Sequence, residues 1–557
     1  MEYFKSLNLS FKCKYFFAFL AIIFFIPKIS QSEVSLNYVY DRSIIRPPYG
    51  EIPLKGEVRK EPITGAEIIR RSDISDTNGI ASKLGVVYSR YSPTNSTGEY
   101  FLAHGDDSFS CFVYRISDNK LIADLKMNDI NRIGENNEIR WDYSGDFPTR
   151  IYFIGHPNFN SSGMQFYQMD VLTKNGIPTL IRDFSKDFPD GVRILNDVEG
   201  DSSSDSRYWA WQVVNATWDR LRFFTYDKKN NIILGTFDVT DVSGYSTYLP
   251  KPNMVEISPL GTKVITHYGR TWGAFPTIPG PWVNEGDGVW SAAYKASTAS
   301  NSSILWVKHN NVELSKKTYL TSIPADLTSA NEWGSNSALD KLYVRLDGSS
   351  PAPDSIVLSY GVRPWDNGST IDGAYAWDLD FKNPVKVSIS ETHSGWSYGK
   401  NGDEWFVSEN SKDDWLEARN IKTGEIMRII SYADLFEYKG SGGAHYGKFY
   451  DTSIRGWIYM STYRSVNDVW SNNQHLMIQL RPFTENPHVL RISPTFNGYS
   501  GSYTDEGPAA LSMDGRNIFS TTNWGNPNNH GEVYQIKLPT VWPDWPLIPP
   551  QNLILLK

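Results

Sequence analysis

Short runs of alternating apolar and polar residues, broken by turn residues every few positions, recur along the chain from about residue 85 to 540. Alternation of period two places one face of each run in a core and the other towards solvent or a neighbouring layer, which is the pattern of β-strands. One composite unit repeats: a short apolar strand, a turn with Pro or Gly, a second β-rich strand and a third ending in a polar turn. Clear copies are VYSRYSPTNSTGEYFLAHG from Val87, EIRWDYSGDFPTRIYFIGH from Glu138 and MVEISPLGTKVITHYG from Met254. Others are HSGWSYGKNGDEWFVSEN from His393, HYGKFYDTSIRGWIYMSTY from His445 and AALSMDGRNIFSTTNWG from Ala509. A looser copy opens near Tyr208 with WAWQVV.

The outer strands are legible as hairpins. FVYRISDNKLIADL, FYQMDVLTKNGIPTLI, FFTYDKKNNIILGTF and LEARNIKTGEIMRII each set a tight polar turn between two alternating stretches. Each unit is then a four-stranded antiparallel sheet that cannot bury both faces alone, so such sheets stack radially. The sequence therefore predicts an all-β protein, a β-propeller of about seven four-stranded blades. Unit starts fall near residues 88, 139, 208, 254, 393, 445 and 509, and the long interval after 254 predicts a β-rich insertion in the fourth blade. Within it, SSILWVKHNNVEL and DKLYVRLDGSSPAPDSIVLSYG alternate like strands, whereas GAFPTIPGPWVNEGDGVW reads as an ordered loop. The expected organisation is a leader over 1–32, an extension over 33–85, blades one to four over 86–270 and the insertion over 271–370. The rest of blade four and blades five to seven follow over 371–540, with a tail over 541–557.

Charge and composition narrow the class. Lys5, Lys12 and Lys14 precede an apolar run from Tyr15 to Ile26, followed by Ser30 and Ser32, which reads as an export signal cleaved near residue 32. No later stretch is long enough for a membrane span, so a soluble, secreted or periplasmic monomer is expected. The chain carries a formal charge of −8, and loss of a leader with four Lys and one Glu (a net +3) takes this to −11. That balance disfavours nucleic acid as partner. With Cys13 in the leader, Cys111 has no partner for a disulfide, and stability must come from packing. No Gly-x-Ser-x-Gly elbow, phosphate loop or His-Glu-x-x-His helix is present.

The phrases EISPLGTKVI, LSMDGRNIFSTTNWG and WDYSGDFPTRIYFI resemble the strand-turn-strand signature of TolB-like and WD-type β-propellers. A narrower resemblance is to secreted propeller polysaccharide lyases of the oligogalacturonate lyase type. It rests on His393 and His445, each at the opening of a blade's innermost strand. That resemblance implies a polysaccharide or oligosaccharide partner, β-elimination, and a divalent cation held by His393 and His445. The type also uses a third His and a Gln, for which no matching pair is found in this sequence.

Innermost strands line a propeller's channel, which predicts convergence of His393, His445, Glu138, Arg140, Arg90 and Glu256. His393 and His445 are candidate bases or metal ligands, Tyr446 a candidate acid beside them, and Arg140 a candidate for neutralising a uronate carboxylate. Trp396, Arg90, Glu138, Asn523 and Trp524 are candidates for holding substrate, the Trp rings by stacking on sugar. Glu138 and Glu256 form an alternative hydrolytic carboxylate pair. The run NDVEGDSSSDS from Asn196 to Ser206 does not have calcium-loop spacing and reads as a solvated acidic turn. The competing expectation is a non-catalytic glycan- or protein-binding propeller, in which the channel's polar groups satisfy one another.

Overall fold

The computed structural model describes residues 42–539, apart from positions 48 and 87, the segments 106–109, 126–137, 156–162, 174–177, 197–198, 242–250, 389–392, 411–412, 437–442, 464–468, 499–506 and 527–530, and, between 270 and 372, everything outside short strands and their turns. Residues 36–538 form one compact unit; the other unit, 1–35 with 539–557, lies outside the described residues except for Pro539, and so does the expected leader. Among the described residues no helix is long and apolar enough to cross a membrane.

Six sheets among the described residues have four antiparallel strands and follow in chain order. The first joins Leu84–Gly85, Tyr100–Gly105, Cys111–Arg115 and Lys120–Asp124; the second Arg140–Trp141, Arg150–Gly155, Gln165–Asp170 and Thr179–Asp183. The third joins Arg193–Leu195, Tyr208–Val214, Arg220–Asp227 and Ile232–Asp238. In the fourth, Lys251–Ile257 and Val264–Gly269 pair on to Gly373–Trp377 and Val385–Ser388, so the insertion enters between its second and third strands. The fifth runs Ser394–Tyr398, Glu404–Asn410, Trp415–Asn420 and Ile426–Ser431, and the sixth Gly443–Tyr446, Trp457–Tyr463, Gln474–Gln479 and Val489–Pro494.

A seventh sheet closes the ring with strands from both ends of the unit. Ala509–Leu511, Asn517–Thr522 and Glu532–Lys537 come from the C-terminal side, and Glu67–Arg70 and Val58–Lys60 are added at the outer edge. Part of the stretch read from sequence as an extension is thus sheet. The ring order is carried by apolar clusters, each spanning two consecutive blades. Leu102, Val113, Trp141 and Ile151 join the first and second, and Phe166, Phe184, Trp211 and Phe224 the second and third. Phe223, Val255 and Phe381 join the third and fourth, and Ile265, Val387, Trp396 and Phe406 the fourth and fifth. Leu416, Ile430, Ile458 and Leu476 join the fifth and sixth, and Leu84, Phe101, Phe112, Phe519 and Val533 the seventh and first. Phe496 stacks on Trp524 at 4.4 Å across the sixth–seventh seam. Each of these large side chains contributes about 1.5–3 kcal/mol on burial, so the seams hold the sheets together.

The third blade differs from the sequence reading. Tyr208–Val214 is its second strand, and the innermost is Arg193–Leu195, which makes the starts at Arg140, Arg193 and Lys251 nearly even. The first turn of the fourth and seventh blades is marked by a glycine with positive φ, Gly261 at 70° and Gly515 at 63°. In the third blade Ser206 takes that position with φ 52°, so the expected glycine signal is missing. In the insertion, VNEGDGVW is a hairpin, Val283–Gly286 with Val289–Ala293, turned by Asp287 and Gly288, both at positive φ. These strands continue into Lys341–Arg345, Glu332–Asn336 and Ser315–Lys316, and a separate three-stranded sheet joins Val307–His309, Val312–Glu313 and Leu358–Tyr360.

Candidate functional site

Blades one and four, and blades three and six, stand across a seven-membered ring from one another, and charged side chains from these blades meet directly. Arg90 of the first blade pairs through Nη2 with Oε1 of Glu256 in the fourth, and its Nη1 donates to Ser394 Oγ of the fifth at 2.6 Å. Glu199 of the third approaches the same guanidinium at 3.7 Å. Trp396 Nε1 donates to the other Glu256 oxygen at 3.0 Å, and His267 Nε2 lies 3.6 Å from the first. Burial pushes the Glu256 carboxyl up, but the charge of Arg90, the neighbouring His267 ring and the bond from Trp396 outweigh it and hold it at about 2.

A second group crosses from the third blade to the sixth. Lys448 Nζ donates to Asp201 Oδ2 and to the Ser202 carbonyl, both at 2.8 Å, and Tyr450 donates its hydroxyl proton to the same carboxylate oxygen. Arg140 Nε stands 3.5 Å from Asp201 Oδ1, and its guanidinium stacks 3.5 Å over the Tyr91 ring. Lys448 and Asp201 are fully buried, so each charge depends on its partner. The run 196–206 is therefore not a solvated turn: Asp201, Ser202 and Ser203 lie inside, while Asp197 is outside the described residues. From sequence Asp201 reads only as one of the carboxylates of that acidic run, and Lys448 is not singled out; the turn opening at Ser203, matching Ser258 and Ser512, is the signal that could have put Asp201 on the end of an innermost strand.

His393 and His445 do come together. Their ring centroids are 4.5 Å apart with planes inclined at 35°. Tyr88 of the first blade lies edge-on at 5.5 Å from His445, and Tyr463 at 5.1 Å. Two features set this spacing. His393 Nδ1 bonds the Ala444 carbonyl at 2.8 Å; because a carbonyl only accepts, Nδ1 carries the proton and Nε2 is the basic nitrogen. Beneath the rings, the innermost strands of blades five and six approach as parallel neighbours, with Trp396 N donating to Gly447 O at 3.0 Å and a bridge from Trp396 to Lys448. A Cβ on Gly395 would lie 2.4 Å from that Gly447 oxygen, so the approach requires glycine. Burial lowers the His445 imidazole to about 4, leaving it neutral near pH 7. His393 is half-buried and the more accessible of the two.

The other sequence candidates are placed differently. Tyr446 is next to His445 on one strand and so faces away, into the seam between blades five and six, with its hydroxyl bonded to that of Tyr432. It is not positioned as the acid beside His445. Arg140 and Arg90 line the channel but are compensated by Asp201 and Glu256. Glu138 Oε1 accepts from Asn196 N at 2.6 Å. Trp396 is packed in the fourth–fifth seam. Asn523 ties the seventh blade to Gly498 through two bonds of 2.7 Å, and Trp524 is sandwiched between Phe496 and Tyr534, at 4.4 and 5.3 Å. Neither presents a face for a sugar. Glu256, clamped in its ionised form, is not a general acid.

A divalent ion on the two imidazoles would need further donors. Among the described residues no group of three or more His, Cys, Asp and Glu is arranged to hold a metal, and the nearest companions of the pair are phenols. The described residues thus do not fit the implied ion.

No family model matches the chain, and no curated protein matches it. Among solved structures it is similar to an oligogalacturonate lyase from Vibrio parahaemolyticus, with 9% identity and a TM-score of 0.45 over 87% of this chain and 99% of that one. It is also similar to TolB from Acinetobacter baumannii, with 10% identity and a TM-score of 0.30 over 81% of this chain and 78% of that one. A third is the propeller domain of the Trilobed protease from Pyrococcus furiosus, at 9% identity and 0.33 over 81% and 95%. The pairing of strands and the seams between sheets make this chain a β-propeller of about seven blades, closed by its own N-terminal strands.

Proposed function

We propose that this is an exported propeller that engages a carbohydrate at the His393–His445 end of its channel. The observation that carries the reading is the close, tilted imidazole pair beside Tyr88 and Tyr463, with Nδ1 of the more accessible ring fixed on the Ala444 carbonyl. Flat rings and phenol groups suit the apolar faces and hydroxyls of a sugar, and a neutral imidazole is the usual base for removing a proton α to a carboxylate. In a uronate-containing glycan, His393 would take the C5 proton as the bond to the leaving oxygen at C4 breaks, that oxygen taking a proton from water, which gives an unsaturated end and a free hydroxyl. Incubation with pectic, algal and other uronate glycans, following absorbance of new unsaturated ends, tests turnover. Activity lost in His393→Ala supports elimination; no cleavage of any glycan ends it.

A second reading is favoured by a specific observation. Arg90 and Arg140, the cations expected to neutralise a uronate, are already compensated by Glu256 and Asp201. That favours binding without chemistry, and it predicts glycan affinity that His393→Ala weakens in a protein that forms no unsaturated ends.

A further inference from the structure

Among the described residues four aromatic side chains stand on left-handed backbone, Trp218, Phe381, Phe496 and Trp524, with φ between 54° and 65°. Bulky residues rarely adopt that conformation, which persists where packing holds it or where function requires it. Phe381 is held in the third–fourth seam, and Phe496 and Trp524 by stacking on each other. Trp218, by contrast, is 47% exposed. It ends the turn NATW between the second and third strands of blade three, its N–H donating to Asn215 O at 3.1 Å. In the next hairpin of that blade the left-handed position is filled by Asn231, φ 54°, a residue type that tolerates it. The turn under Trp218 is pinned: Asn215 Oδ1 accepts from the N–H groups of Thr217 and Asp219 at 3.0 and 2.8 Å, and Asn215 Nδ2 donates to Asp219 Oδ2 at 3.1 Å. One face of the indole is covered by the Arg193 guanidinium, 3.5 Å from the ring centroid.

We propose that Trp218 is a second sugar subsite, at which a pyranose ring stacks on the indole face turned away from Arg193. An aromatic face suits the apolar face of a sugar, and Thr217 and Asp219, exposed in the same turn, offer a hydroxyl and a carboxylate to its hydroxyl groups. The Arg193 stack and the pinned turn fix the indole in advance, so binding orders little. The proposal rests on the reading of the His393–His445 end as a carbohydrate site. Arg193 opens the innermost strand of blade three, as His393 stands at the opening of blade five, and innermost strands run in the same sense round the ring. Trp218 therefore belongs to the same end of the channel, on the blade across the ring from the one that carries His445. A single oligosaccharide lying across the mouth meets both.

The full chain, labelled with nitrogen-15 at tryptophan and histidine, is titrated with a long oligogalacturonate. The Trp218 indole resonance, assigned with Trp218→Gly, should move and saturate together with those of His393 and His445. Trp218→Gly suits the left-handed turn, so it should remain folded by its urea midpoint and bind the oligomer about two- to tenfold more weakly. Trp218→Phe, which keeps a ring, should lose less. Histidine resonances that move while the Trp218 indole stays in place, or a folded Trp218→Gly variant that binds as tightly as the parent, overturn the subsite and leave the carbohydrate reading standing. An indole that moves while both histidines stay supports the subsite and removes the His393–His445 site, and no movement of either removes both.

Discussion

Replacing Lys448 by Met removes the ammonium from the centre of the ring and leaves Asp201 as a buried carboxylate. It keeps the Tyr450 hydroxyl, the Ser202 backbone N–H at 2.8 Å and Arg140, whose Nε is 3.5 Å away. Breaking a buried pair by deleting one partner costs about 3–5 kcal/mol, and the retained Arg140 places Lys448→Met near the lower end, about 3 kcal/mol. Asp201→Asn should cost more, since it removes the carboxylate that both Lys448 and Arg140 face. The double variant removes the mismatch between Lys448 and Asp201 and should fall short of the sum of the singles by about 1–3 kcal/mol. Urea unfolding followed by tryptophan fluorescence reads this out: with an m-value of about 3 kcal/mol/M, Lys448→Met lowers the midpoint by about 1 M. A Lys448→Met midpoint equal to the parent's, or a double variant as unstable as the sum of the singles, would refute the claim that these two charges support each other across the channel.

Acid should weaken the fold in two stages. Burial holds His267 and His445 at about 4 and His475 at about 3, below their unfolded value of about 6.5. The unfolded chain therefore binds protons first, and stability falls from about pH 6.5 towards 4. Glu256, held at about 2, contributes stability above its unfolded value that is lost from about pH 4.5 downwards. Midpoints measured from pH 8 to 3 should show both declines, with His475→Phe shallower in the first. Trp524→Ala should cost about 3–5 kcal/mol by emptying the stack with Phe496 and Tyr534, while glycan affinity measured by calorimetry stays unchanged. Gly395→Ala forces blades five and six apart beneath the histidines, and should lower both the urea midpoint and glycan affinity several-fold or more.

Much of the ring was legible because the strand alternation and first-turn signals repeat. Gly261 and Gly515 mark that turn, and hairpins such as Cys111–Arg115 with Lys120–Asp124 follow from short-range pattern alone. The third blade hid its start because Ser206 stands where a glycine was sought, and Arg193–Leu195 is too short to alternate visibly. The closing strands Val58–Lys60 and Glu67–Arg70 are short too, and the strand that ties them into the blade lies more than 460 residues from Glu67–Arg70, as in the bond from Lys537 to Glu67. The meeting of His393 and His445 followed from their shared place at blade openings. Tyr446 was misplaced because sequence proximity was weighed above the alternation of a strand, and Trp524 because an aromatic beside Asn reads the same whether it stacks on sugar or on Phe496. The Asp201–Lys448 pair depends on ring closure, which local pattern does not encode.

The central claim, that a carbohydrate is engaged at the His393–His445 end, is tested most directly by titrating a uronate oligosaccharide into protein labelled with nitrogen-15 at histidine. Resonances assigned with His393→Gln and His445→Gln should move together and saturate, while His475, enclosed in blade six beside Tyr459, stays in place. Binding that leaves the His393 and His445 resonances unmoved would contradict the account.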